Sequence, residues 1–325
     1  MSDAHGDGGP VARLRDGHGD GGPVTSPPDG HGDGGPVTSP RDGHDGAAGH
    51  MSDGDDTAAF AGWLRLREPA DAAARAVDLL TPVRRRLAGD RPVVIHDLGA
   101  GTGSMGRWLA PRLPGPQHWV LHDRDPGLLA RARAALAGLA ASGGGAVTVE
   151  TRQGDITRLS AADLADASLV TASALLDMLT AEEVGRIVAA CADRPTLFTL
   201  TVVGRVRLTP ADPLDADVAA AFDDHQRRVV PGRGALLGPD AVAACVAAFA
   251  RRGVDVLTRP SPWRLGPDRA ELTAEWFTGW LGAAREQRPE LTGRTTAYGR
   301  TRRAAARAGT LDVLVDHADL LAGCG

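Results

Sequence analysis

Asp97 and Asp123 each close a short apolar run, Asp155 follows the third strand-like stretch in "RQGDIT", and Asp97 is followed by Gly99, Gly101 and Gly103. Glycines placed directly after a strand let the backbone turn tightly and let a ligand approach it. A carboxylate at a strand end can accept hydrogen bonds from an amine or from a pair of hydroxyls. Three such ends side by side form a ligand edge, because open α/β sheets bind their ligands at the carboxyl ends of the strands. The chemistry open to this set is the grip on a nucleoside-like molecule.

Two cofactors compete for the stretch "HDLGAGTGSMG". Gly101, Gly103 and Gly106 spell the G-x-G-x-x-G of dinucleotide sites, while Asp97 and the three glycines after it spell the D-x-G-x-G-x-G of S-adenosylmethionine (SAM) sites. Asp97 favours the second. An acid there can organise the loop around the amino-acid end of SAM, whereas it would repel a pyrophosphate. Asp123 is placed to accept from a ribose diol, Asp155 from an adenine amino group, and Ile156 to pack on the ring.

The elements that must position these residues alternate. "PVVIHDLG" and "HWVLHD" read as strands, followed by helices from Ser104 and Pro126. "AVTVETRQGD", "SLVTAS" and "TLFTLTVVG" continue the strands, with a helix at "TAEEVGRIVAACA" in which Thr180 and Glu183 have capping-box spacing. Helices are expected at Pro213–Val229 and Pro239–Arg252, a sixth strand at "VDVLTRPSPWRL", a helical stretch around Trp276 and Trp280, and an antiparallel last strand at "TLDVLVDHADLL". Ahead of the first strand, a helix with Phe60, Trp63, Leu64 and Arg67 on one face is expected to stop at Pro69, and Asp71 to cap the next. The alternation predicts an α/β fold, a parallel sheet with helices on both faces.

Residues 1–56 stand apart. "HGDGGPV" recurs there with a period of thirteen, and the segment holds eleven Asp against three Arg with few apolar side chains. Such a chain cannot offset the entropy of ordering, so a disordered tail is expected, followed by one domain over 57–325. With a net charge of −5, the remainder is too weakly basic for a nucleic-acid surface. Neither a signal peptide nor a membrane-length apolar run is evident, and Cys191, Cys245 and Cys324 fit no zinc spacing, so a cytoplasmic protein without a metal is expected. All 36 basic residues are Arg. A P-loop ATPase, a Schiff-base enzyme and a Tyr-x-x-x-Lys dehydrogenase each need a lysine and are excluded.

"VVIHDLGAGTGS", "WVLHDRDP", "RQGDIT" and "ASLVTASALLDML" resemble the successive motifs of class I SAM-dependent methyltransferases, over Val93 to Leu179. "WLRLREPAD", "DHQRR" with "ALLGPDAV", and "SPWRLGP" resemble a subgroup of bacterial small-molecule methyltransferases. The resemblance implies a Rossmann-like seven-stranded sheet ordered 3-2-1-4-5-7-6, with strand seven antiparallel. It places Gly99, Gly101 and Gly103 at the methionine end, Asp123 at the ribose, and Asp155 and Ile156 at the adenine. Ala100, Arg124 and Ser173, which flank these motifs, are assigned to the cofactor as well. The segment after strand four lacks the Asn/Asp-Pro-Pro-aromatic motif of amino-methylating DNA enzymes, and no cysteine follows a proline as in cytosine C5 enzymes. A small-molecule acceptor is the expectation.

Methyl transfer from a sulfonium asks mainly for alignment, with a base where the acceptor is protonated. His225 is expected as that base, on a helical face with Leu214, Val218, Phe222 and Val229. Arg67 is expected to hold an acidic group of the substrate unless Glu68 or Asp71 pairs with it. Asp177 is a third candidate for the substrate pocket. A nicotinamide oxidoreductase and a non-catalytic SAM-fold binding protein are the alternatives.

Overall fold

The computed structural model describes residues 53–89, 92–191 and 194–324, with side chains from residue 57 onward. The tail expected at the N-terminus lies, up to residue 52, outside the described residues. The first helix, α1 (Asp53–Ala74), begins ahead of the expected boundary at Thr57 and leads through a short 3-10 turn to α2 (Leu80–Arg86). Then come β1 (Val93–Leu98), α3 (Ser104–Leu109), β2 (Gln117–Asp123), α4 (Pro126–Leu136), β3 (Val147–Gln153), β4 (Leu169–Ser173), α5 (Ala181–Cys191) and β5 (Thr196–Thr209). The chain continues with α6 (Asp215–Gln226), β6 (Val229–Val230), β7 (Gly234–Ala235), α7 (Ala241–Ala250), β8 (Val256–Pro260) and β9 (Trp263–Leu265). Helices α8 (Ala270–Gln287), α9 (Leu291–Arg294) and α10 (Thr296–Arg307) precede the last strand, β10 (Asp312–Ala322).

The main sheet runs β3-β2-β1-β4-β5-β10-β8, with β10 antiparallel to β5 and β8. This is the expected 3-2-1-4-5-7-6 order with one addition: β9 also pairs with β10. The sixth strand is therefore two strands, interrupted at Ser261 and Pro262, and the second piece delivers Trp263 to the far half of β10. β1 and β2 are buried along nearly their whole length, as a central parallel strand covered on both faces must be. One core packs α2, α3 and α4 against the sheet around Trp108 and Trp119; another packs α5 and α7 on it around Phe198 and Phe249. A third gathers α6, α8 and α10 around Phe277, Trp280 and Tyr298.

Local signals fix several elements. Thr180 and Glu183 form the reciprocal capping box that starts α5, the N–H of Thr180 donating to Glu183 at 2.9 Å and that of Glu183 to the Thr180 hydroxyl at 3.2 Å. Asp125 caps α4 by accepting from the N–H groups of Gly127 and Leu128, with Pro126 in the first turn.

Two expectations fail for tertiary reasons. Helix α1 does not stop at Pro69 but runs through it to Ala74. Asp71 caps nothing; its carboxylate accepts from Arg67 Nε at 3.1 Å and from Trp263 Nε1 at 3.0 Å, so contacts within the turn and across the fold hold the helix past the proline. Helix α6 ends at Gln226, short of Val229, which enters the β6–β7 ribbon and is 73% exposed. Val229 thus leaves the apolar face assigned to it. Among the described residues, no helix is long and apolar enough to cross a membrane.

Candidate functional site

The loop between β1 and α3 carries Gly99, Gly101 and Gly103 at φ of +66°, +55° and +82°, a left-handed backbone that glycine adopts without strain. It is tied down from both sides. The N–H of Ala100 donates to the His122 carbonyl at 2.9 Å, and that of Gly101 to Asp123 Oδ2 at 2.9 Å. The three glycines do different work. A Cβ on Gly99 would press on Leu175, and one on Gly101 would press on Leu64 of α1. On Gly103 it would lie 2.7 Å from Leu136 Cδ1, and Gly106 is closed off by the same leucine. Gly103 therefore lets α4 pack closely, whereas Gly99 and Gly101 keep open the wall of a cavity.

That cavity, about 870 Å³, is lined by Asp97, Gly99, Ala100, Gly101, Ser104, Ser173 and Asp177 on one side. Its volume lies within the range of small-molecule sites, roughly 300–1,000 Å³. Asp97 is 1% exposed; Oδ1 accepts from the Thr171 hydroxyl at 2.7 Å, and Oδ2 is buried with no partner. Burial pushes its carboxyl up to about 7, held in check by the Thr171 bond and the Arg75 charge. An orphaned carboxylate oxygen in such a place calls for a donor.

Arg75 stands behind the same wall, a residue that sequence reasoning missed. Its Nη2 reaches Ser104 Oγ at 3.3 Å and Ser173 Oγ at 3.1 Å, while Nε and Nη1 are buried without partners. Burial holds its pKa below the ordinary arginine range. Nothing in "DAAARAV" marks this arginine, because its partners lie far along the chain.

Asp123, Arg124, Asp155 and Ile156 lie outside the cavity lining, although they gather along the same edge of the sheet. The Asp123 carboxylate accepts from the N–H groups of Gly101 and Asp125, and Asp155 from the Thr157 N–H and hydroxyl. Thr57 of α1 donates to Asp125 Oδ2 at 2.9 Å, which lays the start of α1 beside this edge.

The opposite half of the cavity is rich in aromatic rings. Phe60 and Trp63 of α1, Phe222 of α6, Trp263 of β9, and Trp276 and Trp280 of α8 line it. These are four of the chain's six tryptophans and two of its five phenylalanines, in a chain that is only 4% aromatic. Arg67 reaches this half, but Asp71 pairs with it, and its guanidinium lies 4.8 Å from the centre of the Trp263 ring. The structure thus supplies from within the chain the carboxylate that an arginine on this face needs.

His225 lines the cavity as expected, with Nε2 3.6 Å from Glu286. A second histidine was not foreseen. His317, on β10, lines the cavity beside Trp263, with ring centres 5.4 Å apart. In "DVLVDHADLLA", where Asp316 and Asp319 flank it, nothing marks this histidine as facing a ligand space. Among the described residues, no cluster of His, Cys, Asp or Glu could hold a metal ion.

A β1 glycine loop with a buried, half-satisfied acid, set in a sheet of this order, is the arrangement that the sequence motifs lead one to expect of a SAM-dependent methyltransferase. Residues 95–194 match the family model described as "Methyltransferase domain", and the chain carries that domain. It is an enzyme that transfers a methyl group from SAM. No curated protein matches the chain. Among solved structures it is similar to a SAM-dependent methyltransferase from Geobacter sulfurreducens in complex with S-adenosyl-L-homocysteine, at 18% identity and a TM-score of 0.37, covering 79% of this chain and 97% of that one. It is also similar to the cyclopropane synthase MmaA2 from Mycobacterium tuberculosis, at 13% identity and a TM-score of 0.39, covering 76% and 83%. A third similarity is to phosphoethanolamine N-methyltransferase 2 from Haemonchus contortus, with phosphomonomethylethanolamine and S-adenosylhomocysteine, at 14% identity and a TM-score of 0.40, covering 81% and 57%.

Proposed function

We propose that the chain, over one domain of residues 57–325, methylates a small molecule that enters the cavity opposite the glycine loop. The observation that carries this reading is the pairing of the two halves of one cavity. Asp97 Oδ2 wants a donor, the loop at Gly99 and Gly101 leaves room for a ligand, and an aromatic chamber faces them.

The polar half fits the amino-acid end of SAM. Asp97 would accept from its ammonium group, and the hydroxyls of Ser104 and Ser173, oriented by Arg75, would meet its carboxylate in a positive field. Ala100 and Gly101 present backbone to the same end. Asp123 with Arg124 would hold the ribose, and Asp155 with Ile156 the adenine, along the edge beyond the cavity. When bound, SAM supplies an electrophilic methyl group, and the protein's task is to align the acceptor with it. Asp177 and His225 belong to the wall that would orient the acceptor. The three cysteines are unpaired, which suits the reducing cytoplasm proposed for the protein. Nucleic acid and membrane are not proposed as partners.

Two measurements test the reading. Calorimetry should show SAM and S-adenosylhomocysteine binding at micromolar Kd, with NADH at least a hundredfold weaker. Labelled SAM supplied with fractionated metabolites should pass its methyl group to a small molecule. NADH binding more tightly than SAM, or label passing only to protein or nucleic acid, would overturn it.

A further inference from the structure

The aromatic half of the cavity carries three further observations. His317 is 5% exposed, and its Nδ1 lies 3.0 Å from the Val315 carbonyl. A carbonyl can only accept, so the proton sits on Nδ1 and the lone pair on Nε2. No described residue bonds Nε2, and the ring lines the cavity. Trp280 also lines the cavity, is 2% exposed, and its indole N–H meets no protein acceptor. The charged and titratable groups on this side already have contacts: Arg67 pairs with Asp71, His225 Nε2 lies 3.6 Å from Glu286, and Asp177 and Arg228 interact within the protein. Arg65, Glu271 and Glu275 stand at exposed positions of α1 and α8.

The unpartnered polar atoms of this half are the His317 lone pair, the Trp280 N–H and the Gln226 side-chain oxygen, and set among indoles they suit a flat, uncharged molecule with a hydroxyl and an acceptor atom. We propose that the methyl acceptor is a hydroxylated aromatic or heteroaromatic ring held among Trp63, Trp263 and Trp276, and that His317 Nε2 accepts its hydroxyl proton. The inference rests on the methyl-transfer reading above and narrows its substrate class. In the step, the acceptor oxygen bonds to the methyl carbon as the carbon–sulfur bond breaks. The bonding pair goes to sulfur, and the hydroxyl proton passes to Nε2 and then to water. Burial and the nearby Arg67 charge push His317 down to about 3, with Asp316 opposing, so the ring stays neutral above that pH. A weak base suffices, because an oxygen that has gained a methyl group holds its proton very loosely.

The test begins with SAM binding by the parent protein; its failure would sink the methyl-transfer reading itself. The protein loaded with S-adenosylhomocysteine is then titrated by calorimetry with 1-naphthol, 7-hydroxycoumarin, naphthalene-1-sulfonate, cyclohexanol and choline. The hydroxylated rings should bind at least tenfold more tightly than the other three, and Trp276→Ala should weaken them about tenfold. Equal or tighter binding of the sulfonate, the alcohol or choline overturns the substrate class, as does no binding of either ring.

The second arm uses His317→Asn, whose amide can still donate to the Val315 carbonyl, and His317→Gln as a companion. In the variant that keeps the parent Tm, kcat should fall about 100-fold, as is usual when a proton acceptor is lost. KM for the phenol and SAM affinity should stay within threefold. A kcat within threefold of the parent overturns the role of His317.

Discussion

Around Asp97 the cavity wall is backbone, hydroxyls and one acid, supplied by the ends of neighbouring strands β1 and β4 and by the loop to α3. Around His317 it is indole and aliphatic carbon, supplied by α1, α6, β9, α8 and β10 from both ends of the described chain. The polar half leaves a carboxylate oxygen and guanidinium nitrogens without partners, whereas the aromatic half pairs its Arg67 within the chain, and its unpartnered buried atoms belong to neutral groups, the Trp280 N–H and the Gln226 oxygen. On the proposed function, the two halves would serve ligands with opposite needs: a charged amino-acid end that the protein must solvate, and an acceptor that it must desolvate.

The sharpest break in this comparison is Asp97→Ala. Removing the acid should weaken SAM by roughly 2–3 kcal/mol, about the worth of a charge-assisted bond, while leaving naphthol binding intact. Calorimetry on both ligands checks the split; a loss on both sides would mean that the halves are not separate.

Gly103→Ala comes next. A Cβ at φ +82° facing Leu136 should cost about 2 kcal/mol of folding stability, with SAM affinity of the folded fraction unchanged. Gly101→Ala should show the reverse balance, since its neighbour is the movable Leu64 and its backbone faces the cavity. Denaturant melts beside calorimetry separate a packing glycine from a ligand glycine.

Arg67→Ala should lower stability by roughly 1–2 kcal/mol, because Asp71 is 4% exposed and would keep only the Trp263 bond. Turnover per folded molecule should change by less than threefold. A large loss of turnover at parent Tm would restore Arg67 to the substrate.

The smallest effect is a pH dependence. The Asp97 carboxyl is raised to about 7 by burial, so its native form binds a proton that the unfolded chain releases near 4. Its contribution to stability is full below pH 4 and is lost as pH rises through 7. An ammonium ligand prefers the ionised acid, so SAM affinity should rise by up to about tenfold between pH 6 and 8. In Asp97→Asn both slopes should flatten; a slope kept in the variant assigns the titration to another group.

The legible part of the molecule follows the same division. The glycine loop, the strand-end acids and the capping box at Thr180 depend on neighbours a few residues away, and short spacing records them. Pro69 misled because a proline's missing hydrogen bond is visible in the sequence, while the Trp263–Asp71 bond that bridges α1 and β9 is not. His317 and Arg75 escaped notice for the same reason. Each sits in an unremarkable run and acquires its meaning only from residues brought together by the sheet order.

That order has a consequence for synthesis. β10 is made after every other strand of the sheet, yet it lies between β5 and β8 and leaves a gap there until it arrives. Its Asp319 holds the N–H of Leu200 on β5 and the N–H of Ala76 just past α1, each at 2.8 Å. The last strand to be synthesised is thus the one that carries His317 into the wall facing the glycine loop and that ties the end of α1 to β5.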